Sequence, residues 1–98
     1  MSIGKGGSHI IMYFVYILKS IKYNRYYIGS TNNLERRLLE HNCGKTKSLR
    51  YLRPLEIVFY KGFEIENDAR TIERKLKKFK NRSIIENIIK DQEIKMGP

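Results

Sequence analysis

Three segments of the chain carry the spacing of strands, and three more carry the spacing of helices. Residues 13–19 read YFVYILK, an aromatic and β-branched run that is apolar at positions of both parities. A strand apolar on both faces belongs in the middle of a sheet, covered on each side. The polar stretch 20–25, with Asn24 as turn former, has the length of a hairpin connection. Residues 26–31 (YYIGST) then return as a second strand, and residues 55–63 (LEIVFYKGF) form a third, with Gly62 marking a bulge or an edge kink. Between them, Asn32 and Glu35 make a capping box that opens a helix over 32–42. Its Leu34 and Leu38 fall at i and i+4 toward the sheet, and Gly44 is its stop. Asn67 and Asp68 open a second helix on which Ala69, Ile72, Leu76 and Phe79 trace one stripe. Arg74, Lys75, Lys77, Lys78 and Lys80 fill its outer face. Ser83 and Glu86 form another capping box for a last short helix, with Ile85, Ile88 and Ile89 inward.

The pattern predicts an α+β fold: a small three-stranded antiparallel sheet flanked by three main helices. Residues 1–11, Gly- and Ser-bearing with little apolar periodicity, read as a disordered N-terminal tail, with Met12 the natural beginning. One domain is expected over 12–92, and a polar tail over 93–98. Residues 45–53 form a basic loop closed by Pro54.

Composition narrows the partners. Twenty Lys and Arg against ten Asp and Glu give a net charge of +10, which points to a polyanion, although a basic surface also serves solubility. The single Cys43 excludes an internal disulfide and fits a reducing, cytoplasmic setting. One Cys and two His cannot build the usual four-ligand zinc site. The apolar run 10–18 is followed by Lys19, Lys22 and Arg25 and not by a small-residue cleavage site. It is also far shorter than the ~20 residues of a membrane helix.

The candidate chemistry sits around the hairpin and the first helix. Tyr16 and Tyr27 share a sheet face for any register in which paired residue numbers sum to an odd value, and a slip of one residue separates them. Singly, each is an ordinary core aromatic. With an unperturbed pKa of ~10, a tyrosine needs cationic help to act as a base. Arg37 and His41, four residues apart on one strip of helix, are placed to give it. Arg37 offers a planar fork for phosphate oxygens, and His41 titrates near neutrality. Their plainer roles are a helix salt bridge and a favourable charge at a helix C-terminus. Gly29, lacking a Cβ, admits a backbone or a phosphate, or else marks a strand-end kink. Glu73 is the single acid among the seven basic residues of 70–82. A carboxylate there can hold one hard divalent cation alongside water and phosphate. An i,i+4 ion pair with Lys77 is the commoner role.

Taken in order, Phe14-Val15-Tyr16, Tyr27-Ile28-Gly29, Arg37 ten residues after Tyr27, His41 and the later Glu73 resemble the GIY-YIG endonuclease family. The first triplet reads Phe-Val-Tyr in place of Gly-Ile-Tyr, and the resemblance spans roughly residues 12–90. It implies hydrolysis of DNA phosphodiesters with a single Mg²⁺ or Mn²⁺. In that reading Glu73 holds the metal, as the family places its metal-binding Glu on the helix after the third strand. Arg37 stabilises transition-state charge, Tyr16, or His41 through it, takes the proton from water, and Tyr27 orients water or phosphate. Gly29, Lys47, Arg50, Arg53 and Lys77 are the expected nucleic-acid contacts. Asn81 and Asn87 are the candidates for an Asn that family members often add after the Glu helix. Without an appended recognition domain, cleavage is not expected to be sequence-specific. Branched and single-stranded DNA are among the expected partners, with a repair or processing role and a monomer or weak homodimer as the unit. The alternative is a non-catalytic nucleic-acid-binding module on the same scaffold. Glu73 separates the two, because simple phosphate binding does not need a carboxylate.

Overall fold

The computed structural model describes residues 11–79 and 81–94; Lys80, Gly97, Pro98 and most of both expected tails lie outside them. Strands β1 (Tyr13–Ser20), β2 (Tyr26–Thr31) and β3 (Leu55–Phe63) form one antiparallel sheet in the order β2-β1-β3. Helix α1 (Leu34–Asn42) and a 3-10 helix (Lys47–Leu52) connect β2 to β3, and α2 (Glu66–Phe79) and α3 (Arg82–Asp91) follow. This is the expected α+β arrangement, with the doubly apolar β1 in the centre.

The two faces of β1 feed two cores. On one, Val15 and Ile17 pack with Phe59, with Ala69 and Leu76 of α2, and with Ile85 and Ile88 of α3. On the other, Tyr16 and Leu18 pack with Leu34 and Leu38 of α1 and with Leu49, Leu52 and Leu55. The four residues from Val15 to Leu18 are at most 2% exposed. Fully burying side chains of this size stabilises by about 1.5–3 kcal/mol each.

The irregularity in β3 is at Val58 and not at Gly62. Ile17 pairs with Phe59 while Leu18 pairs with Ile57, so Val58 is the extra residue. This bulge sends Ile57 to one core and Phe59 to the other, which a regular strand with its period of two cannot do. Gly62 stays in register opposite Phe14, and a Cβ there would lie 2.7 Å from Met12 Cε and 3.1 Å from a Phe14 ring carbon.

Helix ends also differ from the expected ones. The cap of α1 is Asn33, whose side chain accepts from the Arg36 N–H at 3.0 Å; the Asn32 carboxamide oxygen instead accepts from the Arg36 guanidinium at 3.3 Å. The cap of α3 is Asn81, accepting from Ser83 and Ile84, so Ser83 lies inside the helix. α2 begins at Glu66, ahead of Asn67, and Phe79, expected on its inner stripe, is 49% exposed. The basic stretch 45–53 contains the 3-10 helix, whose Leu49 and Leu52, at i and i+3, are buried. It is pinned by Ser20 Oγ donating to the Leu52 carbonyl at 2.7 Å. The Asn42 side chain also exchanges hydrogen bonds with the Leu55 backbone at 3.0 and 2.8 Å.

The β1–β2 register fixes where Tyr16 lies. Tyr16 pairs with Gly29 and Leu18 with Tyr27, so paired numbers sum to 45 and the two tyrosines share a face. The Tyr16 ring lies across Gly29, and a Cβ built on Gly29 would sit 2.5 Å from the Tyr16 hydroxyl and 2.7 Å from Cζ. Gly29 is itself buried. Its missing side chain therefore makes room for the Tyr16 ring and not for a phosphate, which removes it from the nucleic-acid contacts. Gly29→Ala is predicted to destabilise the fold by about 1–3 kcal/mol, the usual cost of overpacking. In a Tyr16→Leu background, where the clashing ring atoms are gone, that penalty should largely disappear. A double-mutant cycle by thermal unfolding reads both, and an unchanged penalty would separate Gly29 from the Tyr16 ring.

Candidate active site

Tyr16, Tyr27 and His41 form an aromatic triangle on the α1 side of the sheet. Ring centroids lie 6.4 Å apart for Tyr16–Tyr27, 6.3 Å for Tyr16–His41 and 5.4 Å for Tyr27–His41, the last pair edge to face. His41 is fully buried, and both of its nitrogens have hydroxyl partners. Nε2 lies 3.2 Å from the Tyr16 hydroxyl and Nδ1 lies 2.8 Å from Thr46 Oγ1. With Nδ1–H donated to Thr46, Nε2 is left to accept the Tyr16 proton.

The electrostatics keep both Tyr16 and His41 in their neutral forms. Burial, with the Arg37 charge added to it, holds His41 below the ordinary histidine value of 6.5 against the opposing pull of Glu40, so the imidazole is neutral at pH 7. Burial pushes the Tyr16 hydroxyl up to about 12; the Arg37 guanidinium beside it opposes the shift, and the charges on Tyr27 and Glu73 add to it. Tyr16 therefore keeps its proton in the resting protein, 3.2 Å from a nitrogen of a neutral imidazole. Burial works against the Arg37 charge, but contacts with Tyr16 and Glu40 outweigh it, and Arg37 Nη1 donates to Glu40 Oε1 at 3.0 Å. Glu40, three residues along the same helix, was missed in the sequence, although the i,i+3 spacing carries the signal.

Glu73 reaches the same neighbourhood from the opposite sheet face. It lies on α2, and its Oε1 accepts from Ser30 Oγ of the edge strand β2 at 2.6 Å. Burial raises its pKa, but hydrogen bonds from Ser30 and Lys77 and the nearby Arg70 charge outweigh that, and the net direction is down. Lys77 Nζ lies 2.9 Å from Glu73 Oε2 and 5.8 Å from the Tyr27 ring centroid, so it bridges the two sides of β2. Arg37 and Arg70 line one cleft with Ser30, and Ser30 and Arg70 line the adjoining one with Glu73. The site is thus split around an edge strand, with Tyr16, Tyr27, Arg37 and His41 on one side and Glu73 on the other. Among the described residues no three potential His, Cys, Asp or Glu ligands cluster, and Glu73 is the one carboxylate lining its cleft. An ionised carboxylate, with water and phosphate for its other ligands, suits a hard divalent cation, which would replace the Lys77 ammonium.

The remaining expected residues are distributed unevenly. Lys77 is committed to Glu73 and Tyr27 before any nucleic acid arrives. Arg50 and Arg53 line a third cleft at the C-terminal end of α1, and Lys47 is exposed at the start of the 3-10 helix. Asn81 uses its side chain to cap α3, and Asn87 is exposed on that helix. Thr46 and Ser30, which orient His41 and Glu73, carried no sequence signal beyond being hydroxyls near the motif.

Two antiparallel tyrosines, a helical Arg–His strip and a Glu on the helix after the third strand define a nuclease-type fold. The GIY-YIG catalytic domain matches residues 12–89, and the chain belongs to the GIY-YIG family. Within it, the chain is similar to proteins of the UPF0213 group. It is 42% identical over 69 residues to UPF0213 protein CPE1444 of Clostridium perfringens, covering 68% of this chain and 72% of that one. It is 37% identical over 67 residues to UPF0213 protein YazA of Bacillus subtilis, covering 67% of each. UPF0213 protein lwe0147 of Listeria welshimeri is 32% identical over 82 residues, covering 83% of this chain and 90% of that one. Among the described residues no helix is long and apolar enough to cross a membrane.

The depressed His41 pKa has a consequence for stability. An unfolded histidine binds its proton more tightly than folded His41, so the unfolded chain takes up more protons below about 6.5. Stability should therefore fall as pH drops below that value, ahead of the losses from Glu40 and Glu73, which are lowered from 4.5. In His41→Asn, chemical denaturation should show a flatter pH dependence between 6.5 and the carboxylate range. Parallel curves for parent and variant would contradict a buried neutral His41.

Proposed function

We propose that the chain is a divalent-metal-dependent endonuclease that hydrolyses DNA phosphodiesters without sequence specificity, in a cytoplasmic repair or processing role. The observation that carries the reading is the Tyr16 hydroxyl 3.2 Å from a buried, neutral His41 that Thr46 orients. Phosphate binding alone has no use for such a couple, whereas proton removal from water does. Tyr16 passes its proton to His41 Nε2 as it takes one from the attacking water, so no free phenolate is needed. Arg37, charged and braced by Glu40, turns its remaining N–H groups to the phosphate and stabilises charge as it builds. Tyr27, edge-on to His41, orients water or phosphate at the lip of the site. Glu73 would hold the single Mg²⁺ or Mn²⁺, which supplies Lewis-acid polarisation of the phosphate when bound.

The non-catalytic alternative predicts different behaviour for two variants. Tyr16→Phe keeps the ring over Gly29 and removes only the hydroxyl, so cleavage should fall by roughly 10²–10⁴-fold with folding little changed. Glu73→Gln removes one negative charge beside Lys77, Arg70 and Arg74, so DNA binding should hold or tighten while cleavage is lost. Chelation with EDTA should abolish cleavage in the parent. Measured on labelled duplex and branched DNA, equal cutting by parent and Glu73→Gln would overturn the metal assignment. Glu66, which lines the Arg37 cleft, would then be the next acid to test, with Glu64 after it.

A further inference from the structure

We propose that Tyr23 and Tyr51 form a stacking platform for the unpaired nucleotides of a DNA strand, next to the candidate active site. The platform deepens the nuclease reading by naming the substrate class. It rests on that reading for the polymer, but not for cleavage.

The two tyrosines come from different elements, Tyr23 from the β1–β2 turn and Tyr51 from the 3-10 helix, and both stand out of the surface at 49% and 55% exposed. Their ring centroids are 5.8 Å apart with planes at 55°, so the rings open as a wedge and leave faces uncovered. Neither is a loose surface side chain. Arg25 Nη1 donates to the Tyr51 hydroxyl at 2.9 Å. The Tyr23 N–H donates to Ser20 Oγ at 3.1 Å, and that buried hydroxyl in turn holds the Leu52 carbonyl beside Tyr51. The Tyr51 ring is thus held at its hydroxyl, and the backbone that carries Tyr23 is tied to the same Ser20 that holds the 3-10 helix.

Cations surround the rings. Lys22 Nζ lies 5.5 Å from the Tyr23 centroid. Arg50 and Arg53 share with both tyrosines, Lys22 and Asn42 a cleft of about 530 Å³, and the described residues lining it include no Asp or Glu. Arg50 is anchored through its Nε to the Gly44 carbonyl, which leaves its terminal nitrogens for phosphate. Rings alternating with cations suit a strand whose bases and phosphates alternate. A duplex hides its base faces in the stack and offers only phosphates and groove edges, so the exposed rings would add little to duplex binding. Unpaired bases present the faces that these rings accept. Asn42 of the cleft is the chain neighbour of His41, so the platform sits at the end of α1 that carries His41.

The test is equilibrium binding in EDTA, by fluorescence anisotropy, to a labelled blunt duplex and to the same duplex with single-stranded oligothymidine tails. Parent protein should prefer the tailed duplex. Tyr51→Ala and Tyr23→Ala should each weaken tailed binding by roughly 5- to 150-fold, the range supplied by stacking on one base, and leave blunt binding nearly unchanged. Tyr51→Phe, which keeps the ring and loses the Arg25 contact, should bind like the parent. Equal parent affinity for both duplexes would overturn the platform, as would equal losses on both, or a Tyr51→Phe defect as large as that of Tyr51→Ala. So would displacement by an acidic peptide in place of free oligothymidine. Cleavage is not read here, so a protein that prefers tails but cuts nothing with Mg²⁺ sinks the nuclease reading and leaves the platform standing.

Discussion

The pairing of Tyr16 with Gly29 is the constraint on which the rest of the site depends. It lays the Tyr16 ring over a residue without a side chain, and so carries its hydroxyl across β2 toward His41 and Arg37. The same register puts Tyr27 on the same face, edge-on to His41. A one-residue slip would turn Tyr27 to the α2 side and put a Cβ-bearing residue under the ring. The register is held from both sides, because β1 is buried on each face by a separate core. The Val58 bulge lets one strand, β3, supply apolar residues to both. A small protein with little area to bury uses its central strand twice, and the site inherits the rigidity of that strand.

The charges around this frame have distinct tasks. The basic excess is spread over the surface, with Arg74, Lys75 and Lys78 of α2 and Lys47 and Arg50 of the 3-10 helix exposed where they attract a polyanion. Arg37 and Lys77 are each paired with an acid, Glu40 and Glu73, as Arg70 is with Glu66. A helical i,i+4 pair contributes only about 0.3–0.5 kcal/mol, so Lys77 and the partly buried Glu73 add little to stability. The pair keeps a carboxylate ionised beside the edge strand. Tyr16 shows the reverse logic: burial makes its phenolate costly, so its hydroxyl stays protonated beside a neutral imidazole.

Much of this was legible in the residues, for identifiable reasons. The doubly apolar run at 13–19 could only be a central strand, and parity alone tied Tyr16 to Tyr27. Arg37 and His41 followed from helical spacing. What sequence could not reveal depends on contacts between elements. Asn32 and Asn33 are chemically the same cap, and Thr31, which accepts from the Asn33 N–H at 3.1 Å, helps place the helix start. Asn81 displaced Ser83 as a cap because either side chain can satisfy the first N–H groups. Thr46 matters only because the chain turns after Gly44, at φ +83, and brings it back to His41. Gly29 was read as an opening for a ligand, when the opening was for a residue thirteen positions earlier. Phe79 has helical spacing for the core but falls in the last turn, beyond the reach of the sheet.

The central claim is that Tyr16 relays a proton to a neutral His41 and does not act as a phenolate. The pH dependence of kcat/KM for DNA cleavage tests it most directly, at saturating Mg²⁺ and constant ionic strength. The rate should rise through one ionisation below 6.5, the loss of the His41 proton. It should then stay level through about pH 10, because Tyr16 is held at about 12. A rate that ignores the His41 ionisation and climbs steadily into the tyrosine range would contradict it, and would make the Tyr16 phenolate itself the base.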